Sequence, residues 1–437
     1  MNLVYNIKDK PNFGQTILFA LQQLLAIMAA TIAVPSIVGN GMSQTAALFG
    51  AGVGTLVYLL FTKFRSPVFL GSSFAFLGSM FAAFAGGVSM QLGYLGLILG
   101  AAFAGLVYVV IAVVVKFAGV KWIDKLMPAV VIGPTVAIIG LSLAGNAIGD
   151  LTGASTTASP YVCIVCGLVT LAVTMLCSVY GKKMLKMIPF VIGIIAGYLC
   201  ATVFTLIGNS TGNEALVIID FSKFQNMTWV PDFTFLKAFA GIGELTPSYV
   251  ATIAVAYVPV AFVVFAEHIA DHKNLSSIIG TDLTKDPGLH RTLLGDGIGS
   301  FAGAIFGGCP NTTYGESIGC VAISGNASVV TILATAILAI VISFVGPFAT
   351  FLSTIPSCVM GGVCIALYGF IAVSGLKMIQ KVDLNDNKNL FVVSVILIAG
   401  VGGLAVSFGN VTLTEVACAL ILGILTNLIL GGMKKKA

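Results

Sequence analysis

Apolar positions along the 437-residue chain gather into long runs parted by glycine, proline, asparagine or charge. The runs fall at 14–38, 44–62, 68–89, 93–115, 126–146, 160–180, 184–208, 248–267, 292–308, 311–324, 328–346, 349–374, 389–408 and 412–432. Most approach the ~20 residues a helix needs to cross a hydrocarbon layer. The pattern predicts an all-α polytopic membrane protein with fourteen transmembrane segments.

Two runs make poor continuous helices. The third opens with GSSFAF (71–76) and the tenth with NTTYGE (311–316), each a small polar pair followed by an aromatic, seven segments apart. The fifth and twelfth also match: MPAVVIGPTVAIIG (127–140) and IPSCVMGGVCIALYG (355–369) share a proline with a glycine five residues on, Pro128/Gly133 and Pro356/Gly361. Two pairs at one offset predict a 7+7 duplication, and an odd period makes the halves an inverted repeat. Short strand or half-helix breaks are expected in segments 3 and 10. Interrupted segments at matching places in inverted halves point to a transporter site near the bilayer midplane. Chance likeness between glycine-rich helices is the plainer alternative.

Composition narrows the class further. The chain is 58% hydrophobic and 8% charged, against roughly a quarter charged in soluble domains, and its mean hydropathy is +1.06. A water-soluble globule is excluded. The first run is too long, and lacks the small-residue cleavage site, for a removed signal peptide. With both termini cytoplasmic, 19 of the 21 Lys and Arg fall in inner segments, leaving Lys223 and Lys237 outside; that asymmetry is the positive-inside rule. The net charge of +5 then needs no nucleic acid to explain it. The stretch 209–247 is expected outside, its second half (FTFLKAFAGIG) an amphipathic helix along the interface, and 271–291 is expected as a cytoplasmic loop. The nine cysteines, Cys163 and Cys166 among them, read as small core hydrophobes. Three histidines form no metal cluster in the sequence, and no phosphate loop or nucleophile elbow appears, so no cofactor and no enzyme activity is expected.

The candidate chemistry lies in the broken segments. Backbone that leaves the helix inside a membrane is tolerated only where protein or a cavity satisfies it. GSSFAF and NTTYGE are expected to set main-chain amides at half-helix starts across the repeat axis; a kinked span with Ser/Thr capping is the alternative. Glu316 sits five residues into the tenth run, and Glu267 ends the apolar run VPVAFVVFAEH of the eighth. Carboxylates in spans face a cavity or a partner, so this pair suggests a substrate or proton route. For Glu267 the alternative is a helix end at the cytoplasmic surface. Asp271, His268 and His272 cluster within about a turn of it, and Asp296 is either a helix-start residue or a partner of that region. Gln22 and Gln23 are mid-span amides of the kind that bridge helices. Glu415 is read as interfacial.

FAEHIADH (265–272), TDLTKDPGLHRTLLGDG (281–297), PNTTYGESIG (310–319) and GSSFAF together resemble the nucleobase–ascorbate transporter family, and its uracil permease branch in particular. The resemblance implies proton-coupled symport of uracil across the plasma membrane, the bacterial cytoplasmic one. It also implies a homodimer, with a core domain formed by 14–116 and 248–346 and a gate domain by 125–208 and 347–433. Carried over, Glu267 and Glu316 match substrate-binding and proton-coupling glutamates, with Asp271 and His268 beside them as further proton-coupling candidates. Phe74 and Gly315 match positions offering main-chain N–H groups. Tyr314 adjoins the site, and Tyr368 in ALYGF matches a gate tyrosine facing the pocket. The chain reads Asp271 where some uracil permeases have histidine, and LQQ (21–23) where relatives often read LQH. A purine or xanthine carrier and a channel-like anion transporter are the competing readings, with a receptor lacking flux as a third.

Overall fold

The computed structural model describes residues 3–119, 122, 127–153, 158–182, 184–408 and 411–432. Lys121, Lys125, Lys183 and Lys434 to Lys436, counted above among the inner charges, lie outside the described residues. Helix α1 (Phe13–Val38) starts at Asn12, whose side chain accepts from the Gln15 amide while the Gln15 side chain accepts from the Asn12 amide. That reciprocal cap satisfies two amides otherwise left open at a helix start. Ser43 caps α2 (Gln44–Phe61) one way only, its hydroxyl accepting from the Ala46 amide at 3.1 Å. The third run is broken, as its small polar residues predict: β1 (Leu70–Ser72), a 3-10 turn at 74–76 and α3 (Leu77–Ala83). After α4 (Met90–Ala118) the fifth run splits at Leu143 into α5 (Ala129–Ser142) and α6 (Ala144–Leu151). Next come α7 (Pro160–Tyr180), the four-residue α8 (Met184–Met187) and α9 (Pro189–Thr211). The interruption falls at Ile188, because the residue before a proline is pushed out of the helical region.

Between α9 and the next long helix, residues 212–246 hold short 3-10 elements and α10 (Thr234–Ala238), which a 3-10 stretch at Phe239–Glu244 continues. Helix α11 (Pro247–Ile279) is 33 residues long and continues well past the expected end at 267, so Glu267 is a mid-helix residue and not a helix-end one. The expected inner loop at 271–291 shortens accordingly. Then follow α12 (Leu289–Gly307), β2 (Asn311–Thr313), α13 (Gly315–Ser324), α14 (Val329–Ile342), α15 (Gly346–Thr354), α16 (Ser357–Ile379), α17 (Asn387–Val401), β3 (Val406–Phe408), β4 (Val411–Leu413) and α18 (Glu415–Gly432).

Two expectations need correction. The run at 349–374 is not one span: Ile355 is extended ahead of Pro356, and α15 is bent 83° away from α14 as a short connector, leaving α16 as the spanning element. The run at 389–408 does not remain helical, because the β-branched and aromatic VSF and VTL favour strand pairing and form an antiparallel β3–β4 pair. Among the described residues eight helices are long and apolar enough to cross a membrane, nine if the bent pair counts as one. Shorter apolar helices lie at Phe74–Ala83, Asn387–Val401 and Glu415–Gly431.

Helices pack through small residues, which let backbones approach closely where lipid supplies no hydrophobic drive. A Cβ added at Gly50 of α2 would lie 2.4 Å from the Gly303 carbonyl of α12, and one at Gly299 2.6 Å from the Gly54 carbonyl. The packing has a regular arrangement. α2 packs on α12, β1 pairs with β2, and α5 packs on α16. Each of these joins a segment to the one seven places later. Other contacts come in matched pairs under the same offset: α2 on α14 with α12 on α4, α1 on α13 with α11 on α3, and α7 on α9 with α17 on α18.

Candidate functional site

The two broken segments meet. β1 and β2 pair antiparallel in the register Leu70↔Thr313, Gly71↔Thr312 and Ser72↔Asn311. Beyond the strands the Ser73 amide donates to the Pro310 carbonyl at 2.9 Å and the Tyr314 amide to the Phe69 carbonyl at 3.2 Å. Each strand runs directly into a short helix, 74–83 and α13. Neither Ser73 nor Tyr314 caps its helix with a side chain, so the first-turn amides are left for another partner. The Tyr314 hydroxyl donates to the Ser72 carbonyl at 2.6 Å and holds its ring over the ribbon.

Next to these helix starts is a cavity of about 420 Å³. One wall carries Phe74, Glu267, Asp271, Tyr314, Gly315 and Glu316; the other is mostly apolar, with Val136 and Ile139 of α5, Phe190 of α9, and Leu367, Phe370 and Met378 of α16, and adds the polar Lys186 and Ser374. Glu267 and Asp271 are four residues apart and share one face of α11. Asp271 Oδ2 accepts from Thr313 Oγ1 at 2.8 Å, tying α11 to β2. Gln23 of α1 donates to the Ser317 carbonyl at 3.3 Å and also to the Ser317 hydroxyl, which accepts from the Phe69 amide at 3.0 Å. The residue after Glu316 is thereby fastened to both α1 and the approach to β1.

Two named residues stand outside the cavity lining. His268 is buried against α12, with Nδ1 2.7 Å from Asp296 Oδ2 and Nε2 3.0 Å from Thr292 Oγ1. Its ring stacks on His272 at 4.0 Å between centroids. Asp296 is thus a partner of the His268 side of α11 and not a helix-start residue. Tyr368 is buried behind the wall and meets Phe74 edge to face at 5.8 Å, while its neighbour Leu367 lines the cavity. Sequence reasoning did not place Lys186 or the apolar wall at the site. Lys186 lies in KKMLKMIPF, a charge run that reads as a solvated loop, and the wall residues are indistinguishable from any lipid-facing apolar stretch.

Among the described residues no group of three or more His, Cys, Asp or Glu is arranged to hold a metal ion. None of the nine cysteines is in a disulfide. What the cavity offers is carboxylate acceptors on one side, open backbone donors at two helix starts and an aromatic ring at Phe74. That set complements a small flat uncharged ring bearing N–H and C=O groups on its edge. Each such hydrogen bond contributes about 1 kcal/mol net, or up to ~3 kcal/mol to a charged partner.

Residues 14–408 match the model of a family described as "Permease family". The chain is 41% identical over 438 residues to the uracil permease of Bacillus caldolyticus, covering 99% of this chain and 96% of the relative. It is 40% identical to the uracil permease of Bacillus subtilis, covering 98% and 96% respectively. Its fold is shared with the transmembrane domain of a cyanobacterium bicarbonate transporter, BicA, at a TM-score of 0.66 and 15% identity, over 98% of this chain and 99% of that one. The chain is an integral membrane protein that belongs to the nucleobase:cation symporter-2, or nucleobase–ascorbate transporter, permease family.

Proposed function

We propose that this permease imports uracil across the cytoplasmic membrane together with protons. The observation that carries the reading is the convergence of Glu267, Asp271 and Glu316 with two short-helix starts on one side of a single cavity. Uracil is neutral at pH 7 and alternates N–H and C=O on its edge. Carboxylates receive the N–H groups, the amides of Phe74 and Gly315 serve the carbonyls, and Phe74 supports the ring. The uracil permeases of two bacilli, each alike over nearly the whole chain, support the choice of base.

The fourteen segments form an inverted 7+7 repeat; the matched helix contacts at an offset of seven support it. Residues 14–116 and 248–346 act as the core and 125–208 with 347–433 as the gate, with the cavity between them. Both termini are cytoplasmic, so the cavity, which reaches Lys186 and Met378 near inner loops, faces inward. Glu316 carries the coupled proton in this reading, Glu267 accepts from the ring N–H as a carboxylate, and Asp271 is the third carboxylate of the set. His268, held by Asp296, steadies α11 and does not meet the base. Two copies associate as a homodimer, a part of the reading that rests on family likeness alone.

A second reading, an anion carrier, draws on the fold shared with a bicarbonate transporter. Three carboxylates line the cavity against one lysine, Lys186, and their excess of negative charge repels an anion. The test is uptake of labelled uracil into vesicles with and without a protonophore. Saturable uptake lost when the gradient collapses is expected. Uptake of xanthine in place of uracil, or flux that neither saturates nor responds to the gradient, overturns the proposal.

A further inference from the structure

Adjacent residues of α11 face opposite surroundings. Asp271 lines the cavity and takes the Thr313 hydroxyl of β2 at 2.8 Å. His272 is 1% exposed and points into the packed interior. Its Nδ1 donates to the His268 carbonyl at 2.8 Å, since a carbonyl only accepts. In the neutral ring Nε2 is then an acceptor, and it lies 2.7 Å from the Tyr58 hydroxyl of α2. That hydroxyl's single proton is shared with Ser66 Oγ, in the segment that leads into β1, to which it donates at 2.6 Å; Ser66 Oγ itself stands 3.5 Å from His272 Nε2, so the close contact on the ring is the one from Tyr58. Tyr58 and Ser66 are both fully buried. Two consecutive residues therefore bind α11 to the ribbon at both of its strands, Asp271 to β2 directly and His272 to the approach of β1 through Tyr58 and Ser66.

We propose that His272 and Tyr58 are positioning residues which set the rotation of α11 about its axis, and so hold Asp271 and Glu267 in the cavity. The physical reason is leverage. One helical residue occupies ~100° of arc, so a turn of a fraction of that about the axis moves Asp271 out of reach of Thr313. Apolar contacts are tolerant of such a turn, whereas a buried hydrogen bond is directional and weakens steeply with angle. Leaving His272 Nε2 without its donor in the interior penalises the native rotation directly. Around this link stand His268, Asp296 and Thr292 on the α12 side, Tyr108 of α4, whose ring meets His268 edge to face at 6.2 Å, and the cavity carboxylates. None of them supplies the hydrogen bond that Tyr58 makes.

The inference rests on the reading above for its consequence to transport, and its test is kept separate from the substrate. Purified full-length permease in detergent is labelled with dicyclohexylcarbodiimide, and adducts at Asp271 and Glu267 are quantified by peptide mass spectrometry. Tyr58→Phe keeps the ring that fills the core and removes only the hydroxyl. It is expected to raise labelling at Asp271 at least threefold, as the bond to Thr313 loosens. His272→Leu should do the same, and His272→Gln, whose amide oxygen still accepts, should fall closer to wild type. Tyr94→Phe serves as control, since that hydroxyl donates to the Asn40 carbonyl at 2.7 Å, away from the cavity. Should His272→Leu not fold, Tyr58→Phe alone decides. Labelling within twofold of wild type in a folded Tyr58→Phe protein overturns the inference. Uracil affinity is measured on the same samples: a wild type that does not bind uracil defeats the substrate reading while leaving the labelling result decisive for this one.

Discussion

Gly71 of β1 lies directly under the ring of Tyr314: a Cβ there would come 2.4 Å from two ring atoms and 2.9 Å from Thr31 Oγ1. Glycine is needed at this place because the ribbon and the tyrosine occupy the volume a methyl group would take. Gly71→Ala must displace Tyr314, and with it the start of α13 that presents Gly315 and Glu316. Overpacking of this kind costs ~1–3 kcal/mol, and here it is concentrated on the site. Uracil affinity is expected to fall about tenfold or more by calorimetry, 1.4 kcal/mol being a factor of ten. Gly369→Ala, on α16 where no atom lies within 4 Å of the added carbon, should leave affinity unchanged. Equal affinities for the two variants count against the packing argument.

The carboxylates are expected to separate into two behaviours. Glu267→Gln replaces a charged acceptor by a neutral amide, and the loss of a charged hydrogen bond, up to ~3 kcal/mol, predicts a fall in uracil affinity of one to two orders of magnitude. Glu316→Gln should keep measurable binding and exchange of labelled for unlabelled uracil, while losing accumulation driven by an imposed pH gradient. Calorimetry in detergent and uptake into proteoliposomes read the two effects separately. If neither variant changes binding or coupling, the site is elsewhere.

Much of this arrangement is visible in the sequence, for a physical reason. Broken helices inside a membrane need small polar residues, and GSSFAF and NTTYGE announce themselves against an apolar background. They meet as the paired strands β1 and β2. The mid-helix position of Glu267 was not legible, since the polar run ADHKNLSS reads as solvated loop. Its polarity is spent instead on buried partners contributed by Tyr58 and Thr313, far away in the sequence. His268 illustrates the same limit. Spacing places it beside Glu267, but only packing shows that it turns to Asp296. The bend ahead of α16 and the β3–β4 pair were missed because length and hydropathy alone do not separate a helix from a short apolar turn and strand.

Close backbone packing between α2 and α12 gives a prediction about stability. Gly50 and Gly303 face each other with carbonyls where a side chain would begin. Gly303→Val forces the helices apart along a contact that runs from Gly54 and Gly299 to Gly307 and Ala47. The thermal midpoint in detergent is expected to drop by several degrees, with expression of folded protein reduced. Gly145→Ala, with open space around it, should change neither. A midpoint for Gly303→Val equal to wild type would show that the helices separate without cost.

Two acid–base pairs in the chain are expected to differ sharply in worth. Arg65 and Asp286 approach to 2.5 Å, yet their side chains are 44% and 55% exposed, so water screens them. Arg65→Ala should cost no more than ~1 kcal/mol. His268 and Asp296 approach to 2.7 Å with side chains 0% and 1% exposed. Asp296→Ala strands His268 Nδ1 in the interior, a penalty of ~1–3 kcal/mol for an unsatisfied buried group. Asp296→Asn keeps an acceptor and should recover part of it. Thermal unfolding of the three variants in one detergent orders them, with Asp296→Ala lowest and Arg65→Ala nearest wild type. An Arg65→Ala midpoint at or below that of Asp296→Ala would mean that burial does not decide the strength of these pairs. It would also remove the reason for treating the interior face of α11 as the frame that holds the cavity carboxylates.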